Sequence, residues 1–517
     1  MLSLLKKRQT VPLMLCLVVG FALRYYTFDR KSLWMDEVYT YEDSRDDLRG
    51  QIRFYEKNPT FLHPPLFFVL THLFHPFEKP ERDLRIIPVI FGTLSIPMLY
   101  LLAGSFSTSI ALPCTIALTF MTYHISLSQD ARAYTLILFL GMTALFFFLK
   151  YLKTSKKKYL LLVALLFSAS FYTSYSTLLF LVFSQLLWLY RLRPNPPRSR
   201  LSSFLFLNGL ILLFCLPWVI FLFAHYRGQA LMEPLQTGTA GLYWANLFGI
   251  LHDWAANLPL MILSVLLLIL LPAVGDHRRN GLLLLACLLL PVGGLSLLGK
   301  VFDMSHFVTS RYFIDFLPLF LVSLYLSVEG VELKSGKIKK WVRPKLLFTI
   351  LFVGSSLAIL PFYYQSEKQD FRGLATYLKG HLREGDKVYV ATSGYMPGIL
   401  YYLGIPPSGR HHTLYYVGHL SERGTDFRIP FSFQGNPVSL HYSEACCTQY
   451  MMHGTRLWLV VGKVKARELS KHRPFVLKGF FDGSFLNFDR FPTDASMYLF
   501  LWDPSSPEEK GIDLRIE

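Results

Sequence analysis

The segment PPLFFVLTHLFHPF, residues 64–77, decides how the rest of this chain is arranged. It is strongly apolar, but it spans only residues 64–77 and is interrupted by His72 and His75. A helix needs about 17 residues or more to cross the hydrocarbon core of a bilayer. We therefore predict that the segment lies along the membrane surface as an interfacial helix. Because each crossing changes the side on which the chain emerges, this prediction sets the side of every later loop.

Composition places the chain among polytopic α-helical membrane proteins. Of its 517 residues, 52% are hydrophobic and 17% are charged, and the mean hydropathy is +0.35. A soluble globular protein has about 25% charged residues, so a soluble enzyme is excluded. Apolar runs of roughly 17–20 residues fit membrane-spanning helices. We predict about eleven spans, at residues 11–28, 86–104, 107–124, 132–149, 159–172, 174–190, 203–223, 257–273, 281–299, 312–328 and 345–362.

The positions of the basic residues predict the orientation. The net charge is +17, a balance that can indicate nucleic-acid binding, but Lys and Arg gather here in short loops between apolar runs. We place Lys6, Lys7 and Arg8 in the cytoplasm and interpret the first run as an uncleaved span. Four basic loops then face the cytoplasm, as the positive-inside rule requires, whereas they would face outward if residues 64–77 crossed. Their basic residues are Lys150, Lys153, Lys156, Lys157 and Lys158; Arg191, Arg193, Arg198 and Arg200; Arg278 and Arg279; and Lys334, Lys337, Lys339, Lys340, Arg343 and Lys345.

Titratable and other polar residues gather on the opposite side. This side receives the first loop, with Asp36 and His63, and everything after residue 362. Further residues at the ends of spans on this side are Gln129, Asp130, Arg132, residues 172–175, His252, Asp253, Asp303, His306 and Arg311. The asymmetry predicts an extracytoplasmic active site in a multi-pass protein of the cell membrane, which in a bacterium is the inner membrane.

Residues 363–517 form a predicted extracytoplasmic α/β domain, separate from a transmembrane domain at residues 1–362 whose first outer loop covers residues 29–85. Helical spacing at residues 370–382 and 397–403 alternates with strand patterns, which lie at residues 387–391, 456–461 and 496–501. Such alternation is typical of α/β folds. We interpret Asp370 and Arg372 as a helix N-cap and an anchoring side chain.

The six cysteines indicate no metal site and leave the redox compartment open. Four of them, Cys16, Cys114, Cys215 and Cys287, lie in apolar runs and are predicted to fill the core. Cys446 and Cys447 are adjacent, which is a poor geometry for a mutual disulfide, and their state is not predicted.

The string SLWMDE, residues 32–37, places Asp36 and Glu37 just after the first span. Carboxylates beside a bilayer are costly to desolvate and usually serve a function. Trp34 suits the membrane–water interface, so a solvated interfacial loop is the simpler alternative. The outward-facing polar residues of the later loops favour a functional role for the acids.

Three further motifs have a structural and a functional interpretation each. Asp130 and Arg132, near the start of a span, form either a local ion pair or a site in which Asp130 orients a hydroxyl and Arg132 binds phosphate. Arg311 either extends to the interface or provides a second cation for a lipid phosphate. His63 either caps the interfacial helix or contacts phosphate or a metal ion.

In order and spacing these motifs resemble the GT-C class of membrane glycosyltransferases. The likeness is strongest to the bacterial branch related to protein O-mannosyltransferases of family 39 and to lipid A sugar transferases. The matching stretches are LWMDE at 33–37, HPPL at 63–66, ERDLRIIP at 81–88 and QDARAY at 129–134. Looser matches follow at RY (311–312), DFRG (370–373), GDKV (385–388) and YY (401–402). Some relatives carry Glu-Lys-Pro where this chain has His63-Pro64-Pro65.

The resemblance implies a GT-C-like transmembrane bundle and transfer of a sugar from a polyprenyl-phosphate donor to an acceptor hydroxyl, with inversion. The implied catalytic residues are Asp36 as general base, with Glu37 and Asp130 positioning sugar or acceptor. The implied substrate-binding residues are His63, Gln129, Arg132, Tyr134, Arg311 and Tyr312. The implied partners are the donor, a lipid, glycan or protein acceptor, and membrane lipids, without nucleic acid. A divalent metal stays open, with His63 as its candidate ligand.

Two non-enzymatic classes remain as alternatives. A transporter or flippase of lipid-linked sugars also needs cations near a lipid phosphate, but such folds often show two related halves and helices broken at the midplane. A scaffold of an envelope-glycan assembly complex would leave the ordered acidic and Arg motifs without a role. The donor sugar, the acceptor and the oligomeric state are not predicted.

Overall fold

The computed structural model describes residues 7–51, 63–189, 200–225, 243–274, 278–301, 310–334, 343–405, 427–433, 436–442, 455–471, 475–483, 495–505, 511, 512, 514 and 516. The chain divides into two compact units. The described residues of the first unit come from Met1–Phe28 and Ser44–Tyr364. The second unit combines Asp29–Asp43 with Gln365–Leu486 and Pro492–Glu517, so the segment that carries Asp36 and Glu37 belongs with the tail.

The described residues of the first unit form helices joined by turns and short connections, without strands. Its α-helices are α1 (Lys7–Tyr25), α3 (Leu66–Thr71), α4 (Pro80–Phe106), α5 (Ala111–Phe120), α6 (Thr122–Ser128), α7 (Tyr134–Thr154), α8 (Lys157–Phe171), α9 (Thr177–Ser184), α10 (Arg200–His225), α11 (Tyr243–Ala255), α12 (Leu258–Val274), α13 (Arg278–Val301), α14 (Leu317–Lys334) and α15 (Pro344–Gln365). Short 3₁₀ helices cover His72–Phe74, Gln185–Leu189 and Ser310–Phe316. The helix α2 (Met35–Ser44) belongs to the second unit except for its last residue, and Gln365, the last residue of α15, also belongs to the second unit.

Six described helices are long and apolar enough to cross a membrane, and a seventh span results if the pair Asn246–Ala255 and Leu258–Val274, bent by 108°, counts as one. The six are Pro80–Phe106, Tyr134–Thr154, Leu201–His225, Arg278–Leu297, Ser310–Leu333 and Pro344–Gln365. A helical membrane protein is thus supported, but the predicted number of eleven spans is not confirmed. One predicted span, 107–124, is divided because Met121 takes an extended backbone (φ −67°, ψ 107°) between α5 and α6.

Residues 64–77 form only the six-residue helix α3 and one 3₁₀ turn at His72–Phe74. Phe67 and Phe68 of α3 are buried. The two histidines bond to backbone: His72 Nε2 lies 3.0 Å from the Asp46 carbonyl oxygen, and His75 Nε2 lies 3.0 Å from that of Arg45. A helical segment this short is below the length needed to cross the hydrocarbon core, as the sequence predicts.

The second unit is built on a six-stranded mixed sheet in the order β2-β3-β1-β4-β6-β5. The strands are β1 (Lys387–Val390), β2 (Phe427–Phe433), β3 (Asn436–Tyr442), β4 (Leu457–Val461), β5 (Val476–Phe481) and β6 (Met497–Trp502). β1 is parallel to β3 and β4, and the other pairs are antiparallel. Helices α16 (Phe371–His381), α17 (Met396–Leu403) and α18 (Lys463–Leu469) accompany the sheet.

Asp386 connects the start of β1 to the neighbouring strand β4. Its buried carboxylate accepts hydrogen bonds from Trp458 Nε1 and Arg456, both at 2.9 Å, and from the N–H of Arg383 at 2.9 Å. Burial of a carboxylate is costly unless it is paired and hydrogen-bonded, and three donors, one of them the Arg456 guanidinium, converge on its Oδ2. Asp386 within the GDKV stretch therefore stabilises the sheet.

Candidate functional site

The two acids of the first loop lie in the first turn of α2. The Trp34 carbonyl accepts hydrogen bonds from the N–H groups of Glu37 (2.9 Å) and Val38 (3.0 Å), so the helix begins here. The Glu37 carboxylate accepts the Trp34 N–H at 3.2 Å, which is half of a capping box. Glu37 is 1% exposed, whereas Asp36 is partly exposed. Glu37 therefore stabilises the start of the helix, whereas part of the Asp36 side chain reaches the surface.

The backbone before Asp36 is fixed by side-chain acceptors. Four consecutive N–H groups each donate to a side-chain oxygen of the second unit. The pairs are Ser32 to Glu367 Oε2 (3.1 Å), Leu33 to Tyr402 Oη (2.7 Å), Trp34 to Glu37 Oε2 (3.2 Å) and Met35 to Gln369 Oε1 (2.9 Å). We call these four acceptors, Glu367, Tyr402, Glu37 and Gln369, the loop clamp. Three of them come from the tail, more than 330 residues further along the chain.

A second layer of contacts holds the tail segment that contributes Glu367 and Gln369. The N–H of Glu367 donates to the Asp482 carboxylate (3.0 Å), and the N–H of Asp370 donates to the Asp482 carbonyl (2.8 Å). Asp370 accepts the N–H of Gly373 at 2.8 Å and so caps α16, as the sequence predicts. Burial raises the pKa of the Asp370 carboxyl, and this hydrogen bond offsets part of the effect.

The Arg372 side chain also meets the first loop. It donates to the Arg30 carbonyl at 2.9 Å, and its guanidinium lies 5.8 Å from the centroid of the Tyr402 ring. The anchoring role predicted for Arg372 is confirmed. The ammonium group of Lys368 lies 5.0 Å from the Trp34 ring centroid, within the range of a cation–π contact.

Gln129 of the first unit joins three parts of the chain. Its Nε2 donates to the carbonyls of Arg24 (2.9 Å) and Tyr26 (2.6 Å), and its Oε1 accepts the hydroxyl of Tyr363 at 2.9 Å. The amide thus fixes the connection between α6 and α7 against the end of α1 and α15. Because these bonds occupy the amide, the geometry favours a positioning role for Gln129.

The Asp130 side chain is fully buried beside this connection, whereas Arg132 is partly exposed. The N–H of Arg132 donates to the Asp130 carbonyl at 2.6 Å, which closes a tight turn before α7. The turn directs two chemically different groups from one short segment: a buried carboxylate and an accessible guanidinium.

Arg311 and Tyr134, which are separated in sequence, are brought together. The Arg311 guanidinium carbon lies 5.8 Å from the centroid of the buried Tyr134 ring. The preceding Ser310 accepts the hydroxyl of Tyr123 (3.0 Å) and donates to Asp253 Oδ2 (2.5 Å). Tyr312 is 42% exposed. This buried chain of hydroxyls and a carboxylate orients the turn that presents Arg311.

His63 is half-buried and stacks on Phe68 with ring centroids 5.6 Å apart. Among the described residues, no group of three or more His, Cys, Asp and Glu side chains is arranged to hold a metal ion. The described neighbours of His63 therefore include no such group of ligands.

The predicted site residues fall in both units. Asp36 and Glu37 lie in the second, and the first contains His63, Gln129, Asp130, Arg132, Tyr134, Arg311 and Tyr312. The sequence analysis did not identify Glu367, Gln369 and Tyr363. The DFRG stretch directly follows Gln369, and the YY stretch contains Tyr402 of the loop clamp. Asp303, His306, Cys446 and Cys447 lie outside the described residues. The cysteines predicted to fill the core, Cys16, Cys114, Cys215 and Cys287, are free and buried.

A buried cation, Arg24, was also missed. Its guanidinium donates to the carbonyls of Gly20, Leu118 and Thr119 and lies 2.6 Å from His124 Nδ1. These bonds satisfy the end of α1 and α5, so the side chain is a structural connection between the two helices.

Residues 62–221 match the protein family described as dolichyl-phosphate-mannose-protein mannosyltransferase. The structure of ArnT from Cupriavidus metallidurans in the apo state is similar, with a TM-score of 0.50, 10% identity, and coverage of 94% of this chain and 97% of that one. The structure of the same protein bound to undecaprenyl phosphate has a TM-score of 0.49 and 12% identity, and the match covers 94% of this chain and 97% of that one. The oligosaccharyltransferase of Archaeoglobus fulgidus in complex with Zn and sulfate has a TM-score of 0.47 and 13% identity, and the match covers 75% of this chain and 61% of that one. No curated protein sequence matches the chain.

The family match and the fold shared with ArnT confirm the resemblance to GT-C class membrane glycosyltransferases that the sequence motifs carry. The matched residues 62–221 contain three of the four stretches that carry the resemblance: HPPL, ERDLRIIP and QDARAY.

Proposed function

We propose that this protein is an integral-membrane glycosyltransferase that transfers a sugar from a polyprenyl-phosphate donor to an acceptor hydroxyl on the extracytoplasmic face, with Asp36 as general base. The match of residues 62–221 to the mannosyltransferase family carries the proposal. That family is named for dolichyl-phosphate-mannose, which is a sugar linked to a polyprenyl phosphate. The description therefore supports the donor class and a transfer reaction, and the sugar is left open.

The chemistry begins at the acceptor. Asp36 accepts the proton of the acceptor hydroxyl, for which its carboxylate oxygen must come within about 2.6–3.2 Å, directly or through one water. The acceptor oxygen forms a bond to the anomeric carbon while the bond from that carbon to the phosphate oxygen breaks. The electron pair of the broken bond stays on the phosphate. A single displacement of this kind inverts the anomeric configuration.

Fixed cations stabilise the charge that develops on the leaving lipid phosphate. Arg132 and Arg311 are the candidates, because a guanidinium pairs with two phosphate oxygens at once. Arg311 is presented by a buried turn and lies against Tyr134, so its position is defined before substrate binds. His63, partly exposed near the start of α3, is a third phosphate contact in this proposal.

The remaining predicted residues take supporting roles. Glu37 holds the start of α2, Gln129 holds the turn that contains Asp130 and Arg132, and Tyr134 packs under Arg311. Asp130 orients a sugar or acceptor hydroxyl, and Tyr312 offers an exposed aromatic face for a sugar ring.

The test replaces Asp36 with Asn, which is similar in shape but is not a base. With a labelled polyprenyl-phosphate sugar and purified protein in lipid vesicles, we expect turnover to fall by about 10²–10⁴-fold, the usual contribution of a general base. Asp46→Asn is the matched control, because Asp46 is an exposed acid of the same loop. Both variants should keep the unfolding temperature of the parent protein. Near-normal turnover of Asp36→Asn would defeat the assignment.

A further inference from the structure

We infer that the tail residues Glu367, Gln369 and Tyr402 are positioning residues for the general base, so that the C-terminal domain is part of the catalytic apparatus. The inference rests on the proposed function, because it takes Asp36 as the base. By accepting hydrogen bonds, these three side chains fix the position of the backbone from which Asp36 projects.

The first observation is the completeness of the bonding. Each of the N–H groups of residues 32–35 has a side-chain acceptor, and three of the four acceptors come from residues 367–402. In addition, the Ser32 hydroxyl donates to the Gln369 carbonyl at 2.5 Å. Buried backbone N–H groups are almost always paired with some acceptor. For residues 32, 33 and 35 that acceptor is a side chain from a distant part of the chain.

Most of the residues that form these hydrogen bonds are buried. Ser32, Leu33 and Trp34 are each 2% exposed or less, and Gln369 is 6% exposed. The three bonds to the tail are part-buried, so an N–H group here has limited access to water that could replace a lost acceptor. If one acceptor is removed and the loop stays in place, its N–H group has no partner. We therefore expect the loop to shift to a conformation in which that N–H is bonded. Asp36 follows directly after the last bonded N–H, at Met35, and would move with it.

The third observation is that the acceptors are themselves fixed. The segment with Glu367 and Gln369 is held by Asp482 and leads into the capped helix α16. Tyr402 lies against the Arg372 guanidinium, and its carbonyl accepts the ammonium of Lys379 at 2.8 Å. Acceptors on a rigid support can define the position of the loop to within the tolerance that catalysis needs, where a displacement of about 1 Å costs about 10²-fold in rate.

The experiment compares variants that remove an acceptor with variants that keep one. Tyr402→Phe and Gln369→Met remove an acceptor without changing charge. Glu367→Met and Glu367→Gln both remove a negative charge, but only the Gln variant retains an oxygen for the Ser32 N–H. Tyr395→Phe is the matched control: Tyr395 is a buried tyrosine of the same domain whose hydroxyl donates to the Ser496 carbonyl at 3.3 Å, not to residues 32–35.

All variants are purified as the full chain in lipid vesicles and measured with the labelled donor at a temperature at which each remains folded. We expect Tyr402→Phe, Gln369→Met and Glu367→Met to lower kcat by about 10-fold to 10²-fold, with donor and acceptor KM changed by less than about threefold. Glu367→Gln and Tyr395→Phe should stay within about threefold of the parent kcat. A role in folding alone would not separate kcat from KM or distinguish Glu367→Gln from Glu367→Met.

Two outcomes overturn the inference. One is a parent-like kcat in the three acceptor-removing variants; the other is an equal loss in Glu367→Gln and Glu367→Met. The Asp36→Asn arm separates this failure from failure of the proposed function. If Asp36→Asn is inactive while all three acceptor-removing variants turn over normally, the base assignment stands and the positioning role falls. If Asp36→Asn is active, the proposed function itself falls.

Discussion

The adjacent acids Asp36 and Glu37 differ in burial and in hydrogen bonding. Consecutive positions on a helix point about 100° apart, so a first turn cannot present both side chains in one direction. Glu37 occupies the third helical position, from which a carboxylate reaches back to the N–H at the start of the helix. Asp36, one position earlier, remains accessible. The Asp-Glu motif therefore contains one partly exposed carboxylate, which is the proposed base, and one buried carboxylate that caps the helix.

This difference predicts unequal responses to substitution at Glu37. Glu37→Gln should retain at least about half of the parent turnover, since Gln also serves as the acceptor in a capping box. Glu37→Ala leaves the buried Trp34 N–H without its acceptor and should lower the free energy of unfolding by about 0.5–2 kcal/mol, together with turnover. Turnover with the labelled donor and thermal unfolding of the full chain measure both effects.

The opposite result would assign chemistry to Glu37. If Glu37→Gln is inactive at a parent-like unfolding temperature, its carboxylate takes part in proton transfer or binds substrate. The comparison is informative because the Gln variant changes the charge and basicity of the side chain but preserves its shape and its acceptor oxygen.

At the scale of elements, the agreement between sequence and structure depends on the kind of pattern. Alternation and capping signals in the tail locate α16, β1, β4 and β6 within one or two residues of their observed bounds. The strands β2, β3 and β5 were not predicted from the sequence: Pro430 lies within β2, Pro437 near the start of β3, and a bulge near Gly479 interrupts β5. Hydropathy overlooked the break at Met121, because a single extended residue between apolar helices leaves composition unchanged.

The candidate site shows the same division between local and distant information. Asp36, Asp130 and Arg132 stand in contiguous motifs, so one sequence suffices to propose them. The acceptors Gln369 and Tyr402 act on residues more than 330 positions earlier, and no local pattern marks such a contact. Long-range hydrogen bonds of this kind become visible only when the two segments are placed together.

The packing of α4 against α6 provides an element-scale prediction. A Cβ atom at Gly92 would collide with the hydroxyl of Ser128 and lie 2.8 Å from its Cβ, and that hydroxyl is held by the His124 carbonyl at 2.6 Å. Gly92→Ala should therefore destabilise the protein by about 1–3 kcal/mol and displace the adjoining Gln129 turn, lowering turnover. Thermal unfolding and turnover are the measurements.

Gly354→Ala is the matched control for Gly92→Ala. A Cβ at Gly354, within α15, would have no other heavy atom within 4 Å. Because alanine favours helix over glycine by about 0.8–1.0 kcal/mol, this variant should be neutral or slightly stabilised. Equal losses in both variants would show that close approach at Gly92 does not limit the packing.

At the scale of the whole molecule, the positions of the basic loops predict the side of the membrane on which Asp36 lies. Lys153, Lys156, Lys157 and Lys158 are exposed around the connection between α7 and α8. The other basic loops fall partly outside the described residues. By the positive-inside rule, we expect this cluster of cations, in a short loop between apolar helices, to stay on the cytoplasmic side. The proposed reaction requires Asp36 on the other side, where the polyprenyl-linked sugar is consumed.

The sidedness can be tested with introduced cysteines and a membrane-impermeant maleimide. Asp46→Cys, in the exposed part of the first loop, should react in intact cells, and Lys156→Cys only after the membrane is opened. The background chain carries Cys446→Ser and Cys447→Ser, and the buried Cys16, Cys114, Cys215 and Cys287 should stay unlabelled in folded protein. Labelling of Lys156→Cys in intact cells, with Asp46→Cys protected, would reverse the orientation. Asp36 would then face the cytoplasm, and an extracytoplasmic transfer with Asp36 as base would be excluded.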